Sequence, residues 1–282
     1  MLTSLLLLGA AEVTQTTQIA SPNSPSRGDK VNIQFRNSMN LYTISLTNLP
    51  ADPKQDPGTY IGMTQPHHFY NFPGTGSGFM TLTVNGISSQ YLMPKDIKIN
   101  DKGGTANAEI LFNFDGTRIT LRFEMTDKSP LLYLSLIHDS ASRPCTGMEL
   151  SIQAFPSINQ GSANKNEYQR EIVTEGKIYK VDDGVKWLQL DRGCTAMDLI
   201  DRIQQPPNNP KAQGPCALLV DWNGIAAGKA CIGKAYYVLF RFTLKPDAGK
   251  WRFAFFEQKK QTCNDDYFAW RKKNQDLFTF SE

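Results

Sequence analysis

The feature that most constrains this chain is the alternation between Ala106 and Met125, broken on the first strand only by Leu111. Ala106, Ala108, Ile110, Phe112 and Phe114 are apolar, while Asn107, Glu109 and Asn113 between them are polar. A period of two sends successive side chains to opposite faces of a strand, so one face is core and the other is wet. Asp115-Gly116 follows, a pair that tolerates the positive φ angles of a two-residue hairpin turn. Ile119, Leu121, Phe123 and Met125 resume the apolar face on the return, opposite Arg118, Thr120, Arg122 and Glu124. A helix would scatter this pattern around its circumference.

Two further strands, over 131–138 and 148–155, complete a predicted four-strand meander. The third, from Leu131 to His138, is apolar on both faces, which places it centrally with cover on both sides. That requires a second layer, and hence a sandwich. Upstream, Val31, Ile33 and Phe35, then Tyr42, Ile44 and Leu46, repeat the alternation. Downstream, strands are predicted over 169–174, 177–181, 185–190, 217–222, 236–244 and 250–257. Thr195 with Asp198 resembles a capping box ahead of Ala196, Leu199, Ile200 and Ile203, which predicts a short helix stopped by Pro206-Pro207. Asn264 or Asp265 heads a second helix, to about Leu277, that lays Tyr267, Trp270 and Phe278 on the sheet. The chain therefore reads as all-β: a large antiparallel β-sandwich with a short internal helix and a C-terminal helix. Strands in runs, without helices between them, argue against a doubly wound α/β fold.

Leu5 to Leu8 followed by Gly9-Ala10-Ala11 has the apolar stretch and small-residue cleavage site of a secretory signal peptide, so residues 1–11 are expected to direct export to a secreted or periplasmic location. Residues 12–29, rich in Thr, Gln, Ser and Pro, are expected to form a flexible linker, leaving 30–282 as the sandwich domain. Residues 49–78, dominated by Pro, Gly, Asp and Asn, read as a long loop. Thirty basic and 27 acidic residues leave a net charge of +3, so nucleic acid is not an expected partner. No stretch is apolar over the roughly 20 residues of a membrane helix. Five cysteines lack CxxC spacing, and neither a metal nor a cofactor is expected. Cys194, Cys216 and Cys231 are near enough in sequence for one bridge, with buried free thiols as the alternative.

The candidates for chemistry are few. His67-His68 lies in the long loop beside Phe69-Tyr70, where an imidazole next to aromatics could act on a sugar hydroxyl, and His138 ends a strand. Without a GxSxG motif, a Ser/His/Asp hydrolase is not expected. From Tyr236 onward the chain is dense in aromatics. Trp251, Phe253, Phe255 and Glu257 set a carboxylate beside rings on one strand face, an arrangement that holds sugars, although core packing is the alternative for most of these rings. Trp222, with Asp221 and Asn223-Gly224 at a strand end, is the preferred stacking platform, with Tyr70 and Trp251 as further ligand contacts.

Residues 236–246, YYVLFRFTLKP, followed by 250–257, KWRFAFFE, resemble the closing strands of galactose-mutarotase-like supersandwiches of carbohydrate-active proteins. In an epimerase of that family two histidines and a glutamate serve as acid and base at the anomeric centre. The resemblance then implies Glu257 as base, with His67 or His68 and His138 on the acid side. The leading expectation is an exported β-sandwich that binds carbohydrate without catalysis. A sugar-active enzyme, epimerase-like or a domain of a polysaccharide-degrading protein, is the second. A structural or assembly protein of the cell envelope is the third.

Overall fold

The computed structural model describes residues 10–18, 29–49, 58–65, 79–157, 168–180, 187–233, 237–258 and 261–280. Among the described residues two antiparallel sheets, of ten and nine strands, pack face to face. The larger runs Glu12–Gln18, Asp29–Arg36, Leu41–Leu49, Gly58–Gln65, Met80–Val84, Met148–Ala154, Tyr237–Leu244, Ile225–Gly233 and Leu188–Gln189, with Ile87–Ser88 paired to Met80–Val84. The smaller runs Ile178–Lys180, Arg170–Val173, Ala196–Asp201, Cys216–Val220, Lys250–Glu257, Leu132–His138, Thr117–Thr126, Thr105–Phe114 and Asp96–Lys102. The all-β sandwich expected from alternation is what the chain forms.

The long central strands contribute every second side chain to one apolar core. Phe112, Leu121, Leu134 and Phe253 line it from the smaller sheet, and Ile33, Ile44, Leu82 and Phe240 from the larger; all are fully buried. Fully burying side chains of this size stabilises by about 1.5–3 kcal/mol each before conformational entropy is subtracted. Asp115 and Gly116 take φ values of 48° and 91°, the left-handed pair that the hairpin between Thr105–Phe114 and Thr117–Thr126 requires. Leu132–His138 is central in its sheet, and its outer side is covered by the C-terminus, where the Tyr133 O–H donates to Thr279 O at 3.2 Å.

The C-terminal helix, Asn264–Lys273, continues into a 3-10 turn at Gln275–Leu277. Tyr267 and Phe278 join Ala217, Leu219, Ala254 and Phe256 in a second apolar cluster on the outside of the smaller sheet. Asp265 and Asp266 occupy the first turn and Arg271 to Lys273 the last, matching the helix dipole at both ends. Cys263, not Asn264 or Asp265, is the N-cap; the Asn264 amide instead donates to Asp201 O at 3.0 Å.

Several expectations are corrected. Within the expected linker, Glu12–Gln18 is a strand paired along its whole length with Asp29–Arg36, because Val13 turns inward and the Thr-rich remainder suits an edge strand. Within the expected loop, Gly58–Gln65 is a strand beside Leu41–Leu49. The expected internal helix is the strand Ala196–Asp201: both of its backbone edges are taken, by Arg170–Val173 and Cys216–Val220, and Met197 and Leu199 face the core with period two. The predicted fourth meander strand, Met148–Ala154, belongs to the other sheet, between Met80–Val84 and Tyr237–Leu244. Asn85 holds that crossing, its carbonyl accepting from Thr146 N at 2.7 Å and its amide donating to Thr117 Oγ1 at 3.0 Å. All five cysteines are free. Cys216 lies between the sheets while Cys231 lies on the larger one, so the suggested bridge does not form.

Candidate functional site

The sequence-predicted aromatic platforms are interior. Trp222 is only 9% exposed, its indole N–H donates to Cys194 O at 2.7 Å, and its ring meets Phe242 edge-on at 6.1 Å. Gly228 makes the space, since a Cβ there would stand 2.8 Å from Trp222 Cη2. Trp251 is fully buried, with its N–H given to Gly224 O at 2.9 Å. Neither ring is available to stack on a sugar. Asp221 is half-buried, accepting from Asn223 N at 3.0 Å and lying 3.9 Å from Arg252. His67, His68 and Tyr70 lie outside the described residues.

Glu257 is fully buried at one end of the interior, cross-strand from Cys216 and near the buried pair of Arg170 and Asp201, 3.4 Å apart. Its backbone is clamped: Glu257 N donates to the Tyr42 hydroxyl at 3.3 Å, and the Asn40 amide donates to Glu257 O at 3.0 Å. Burial, reinforced by the Glu257 charge, holds the Tyr42 phenol and the Cys216 thiol well above their usual ranges. Arg170 lies over the rings of Tyr168 and Phe155, 4.8 and 5.8 Å from their centroids. This is an enclosed charged set. His138 sits at the other end of the same strand pair, beyond the Ile137–Lys250 partners, with Nε2 3.2 Å from Arg143 O. Seven residues of strand at about 3.3 Å each separate Lys250 from Glu257, or about 23 Å. The structure therefore does not bring His138 and Glu257 together as acid and base.

The outward face of the larger sheet is different. Thr43, Ser45 and Thr47 project from Leu41–Leu49 and are at most 8% exposed, and the Ser45 hydroxyl donates to Asn32 Oδ1 at 2.6 Å. Further across, Thr81, Ser151, Arg241, Lys229 and Gln189 form one row over five adjacent strands, set by the register of the pairings. Beside it Trp187, half-buried at the sheet edge, has Arg241 Cζ 4.7 Å and Lys229 Nζ 4.9 Å from its ring centroid. Attraction between a cation and the ring face holds the indole over the two side chains. Arg241 and Lys229 are directly opposite one another, and among the described residues neither forms an ion pair. Arg241 Nε is buried without a hydrogen-bond partner, as is Thr43 Oγ1 on the same face. In the neighbouring row the Cys231 thiol is pushed up by burial, against the pull of Arg241.

The row from Thr81 to Gln189 presents a flat ring, hydroxyl and amide groups that donate and accept, and two cations without an ion pair among the described residues. Sequence reading missed it. Trp187 stood inside the predicted strand 185–190, and Arg241 alternated with Phe240 and Phe242, which already marked it as outward; Lys229 lay in an Ala- and Gly-rich stretch without a visible period.

No family model matches the chain, and no curated protein matches it. Similar solved structures include a TPR-domain containing protein from Parabacteroides distasonis, 9% identical with a TM-score of 0.49 over 92% of this chain and 57% of that one. An alpha-N-acetylgalactosaminidase from Bifidobacterium bifidum is 6% identical with a TM-score of 0.48 over 93% and 38% of the two chains. An aldose 1-epimerase candidate from Klebsiella pneumoniae is 8% identical with a TM-score of 0.47 over 96% and 89%. The chain thus spans little more than half of the first of these proteins and little more than a third of the second.

Proposed function

We propose that this protein is an exported β-sandwich that binds carbohydrate, without catalysis, on the outward face of its larger sheet. The observation that carries the reading is Trp187, a half-buried indole at the edge of a face where Thr, Ser and Gln side chains stand beside Lys229 and Arg241. A pyranose has an apolar face that stacks on such a ring and a rim of hydroxyls that exchange hydrogen bonds with such side chains. The non-catalytic part is supported by the separation of Glu257, enclosed in the core, from His138 at the opposite sheet end. Export is supported by the Leu5–Leu8 stretch with Gly9-Ala10-Ala11 after it.

The test is a glycan-array screen of the full chain, followed by calorimetry on each hit with the parent and with Trp187→Ala. Loss of stacking should weaken binding roughly tenfold, equivalent to about 1.4 kcal/mol. A blank array from folded protein, or hits indifferent to Trp187→Ala, sinks the proposal.

A further inference from the structure

We infer that the sugar held beside Trp187 is anionic: a saccharide bearing a carboxylate, sulfate or phosphate whose charge is seated at Lys229 and Arg241. This rests on the reading of that face as a carbohydrate site and names the class of ligand.

The charge pattern elsewhere on the sandwich frames the inference. On the smaller sheet two outward arginines are matched: Arg122 lies 2.8 Å from Glu124 and 3.9 Å from its cross-strand partner Glu109, and Arg118 lies 2.6 Å from Asp139. Lys229 and Arg241 occupy the same kind of cross-strand position with like sign. Like charges placed directly opposite destabilise a sheet, so the pair stands at a standing cost that the indole offsets only in part. Both charges lie within 4.9 Å of one ring centroid. An anionic substituent on a sugar stacked at that ring therefore falls within reach of both. The Arg241 guanidinium is oriented by its place in the sheet and by the Trp187 ring. The guanidinium offers a planar fork suited to the two oxygens of a carboxylate, sulfate or phosphate, while Lys229 adds a point charge. Ser151 and Gln189, next in the row on either side, flank the pair with neutral hydrogen-bonding groups. They are placed to hold ring hydroxyls, which carry no charge.

The experiment places each neutral glycan on one array beside its uronate, sulfated and phosphorylated counterparts, and follows with calorimetry at two ionic strengths on the strongest pair. The expected result is preference for the charged member by at least tenfold, reduced by added salt. Arg241→Gln and Lys229→Gln should each remove about tenfold of that preference and leave the neutral counterpart's affinity unchanged, while Trp187→Ala weakens both members. Lys229→Gln, at the more peripheral strand, keeps the test valid if Arg241→Gln fails to fold. The strongest of the three anionic series identifies which group the site takes. Equal affinity for charged and neutral members, indifferent to both glutamine variants, overturns the inference and leaves the carbohydrate reading standing. Failure of every glycan to bind overturns both.

Discussion

The two outer faces of this sandwich share a backbone geometry and differ in almost everything attached to it. On the smaller sheet, Arg122 is flanked by Glu109 and Glu124, and the remaining half is roofed by the C-terminal helix, whose Tyr267 and Trp270 lie against Phe256 with ring centroids 6.1 and 5.3 Å away. That face pairs Arg122 with carboxylates and is apolar where it is covered. On the larger sheet, Thr and Ser side chains stand almost shielded from water, two cations face each other, and polar atoms of Thr43 and Arg241 lack partners. Buried atoms without partners occur on the smaller sheet as well, at Arg122 Nε and Arg271 Nε, but there each guanidinium has a carboxylate beside it. On the larger sheet Arg241 and Lys229 face one another with no carboxylate paired to either among the described residues, which is the condition of a surface whose partner is another molecule.

The strongest way to break this contrast is to truncate one aromatic on each side. Phe256 is 3% exposed and touches Tyr267, Trp270 and Phe278, so Phe256→Ala should lower unfolding free energy by about 3–5 kcal/mol, read from urea midpoints, while leaving saccharide affinity unchanged. Trp187→Ala should do the reverse. Its ring is half-buried at a sheet edge, so stability should move by under about 1 kcal/mol while affinity falls roughly tenfold. If Trp187→Ala unfolds the protein as readily as Phe256→Ala, the indole is a packing element and the two faces are not different in kind.

How much of this contrast was legible in the sequence depends on how local its causes are. The hairpin from Thr105 to Thr126 was readable because alternation and the Asp115-Gly116 turn are neighbours in the chain. Met148–Ala154 was readable as a strand but not as a member of the other sheet, since period two says which side chains share a face and nothing about which sheet they face from. Ala196–Asp201 satisfied a helical spacing and a strand spacing at once, and only its two flanking strands decide between them. A strand end with Asp221 and Asn223-Gly224 reads as exposed, yet Trp222 is interior. The hollow that receives it is made by Gly228, on a strand whose pairing no local signal announces. The Lys229–Arg241 pair is least legible of all, because it exists only once the register between two strands is known.

A pH measurement sharpens the covered side. Asp198 points into the helix interface, where Tyr267 O–H donates to it at 2.5 Å and Arg271 lies 3.7 Å away. Burial nevertheless dominates and holds its carboxyl above the usual carboxylate range. The folded state therefore keeps this proton at pH values where the unfolded chain, near an ordinary value of about 3.9, has lost it. More protons bound in the folded state means that stability from this group falls as pH rises from the unfolded toward the folded pKa, and stays at its lower level above that. Asp198→Asn keeps an acceptor for Tyr267 and removes the titration. The stability of the variant relative to the parent should rise with pH across this window, by less than the Phe256→Ala loss. A difference that is flat from about pH 4 to about pH 7 would show that Asp198 is solvated, and the helix interface wetter than described.

The smallest expected effect is the most direct comparison, because it uses matched positions. Arg122 faces Glu109 across one strand pair, and Arg241 faces Lys229 across another. Arg122→Gln removes an attraction between half-exposed groups, and should cost a few tenths of a kcal/mol, about 0.2–1, fading as salt is added. Lys229→Gln removes a repulsion in the same geometry. It should therefore stabilise the free protein by a similar few tenths, about 0.2–1 kcal/mol, again fading with salt. The opposite signs are the point. A residue whose removal stabilises the fold is maintained for something other than the fold, and the same substitution should weaken the anionic ligand. If Lys229→Gln instead destabilises as Arg122→Gln does, then Lys229 is held by the ring of Trp187 more than it is repelled by Arg241, and the two faces hold their cations in the same way.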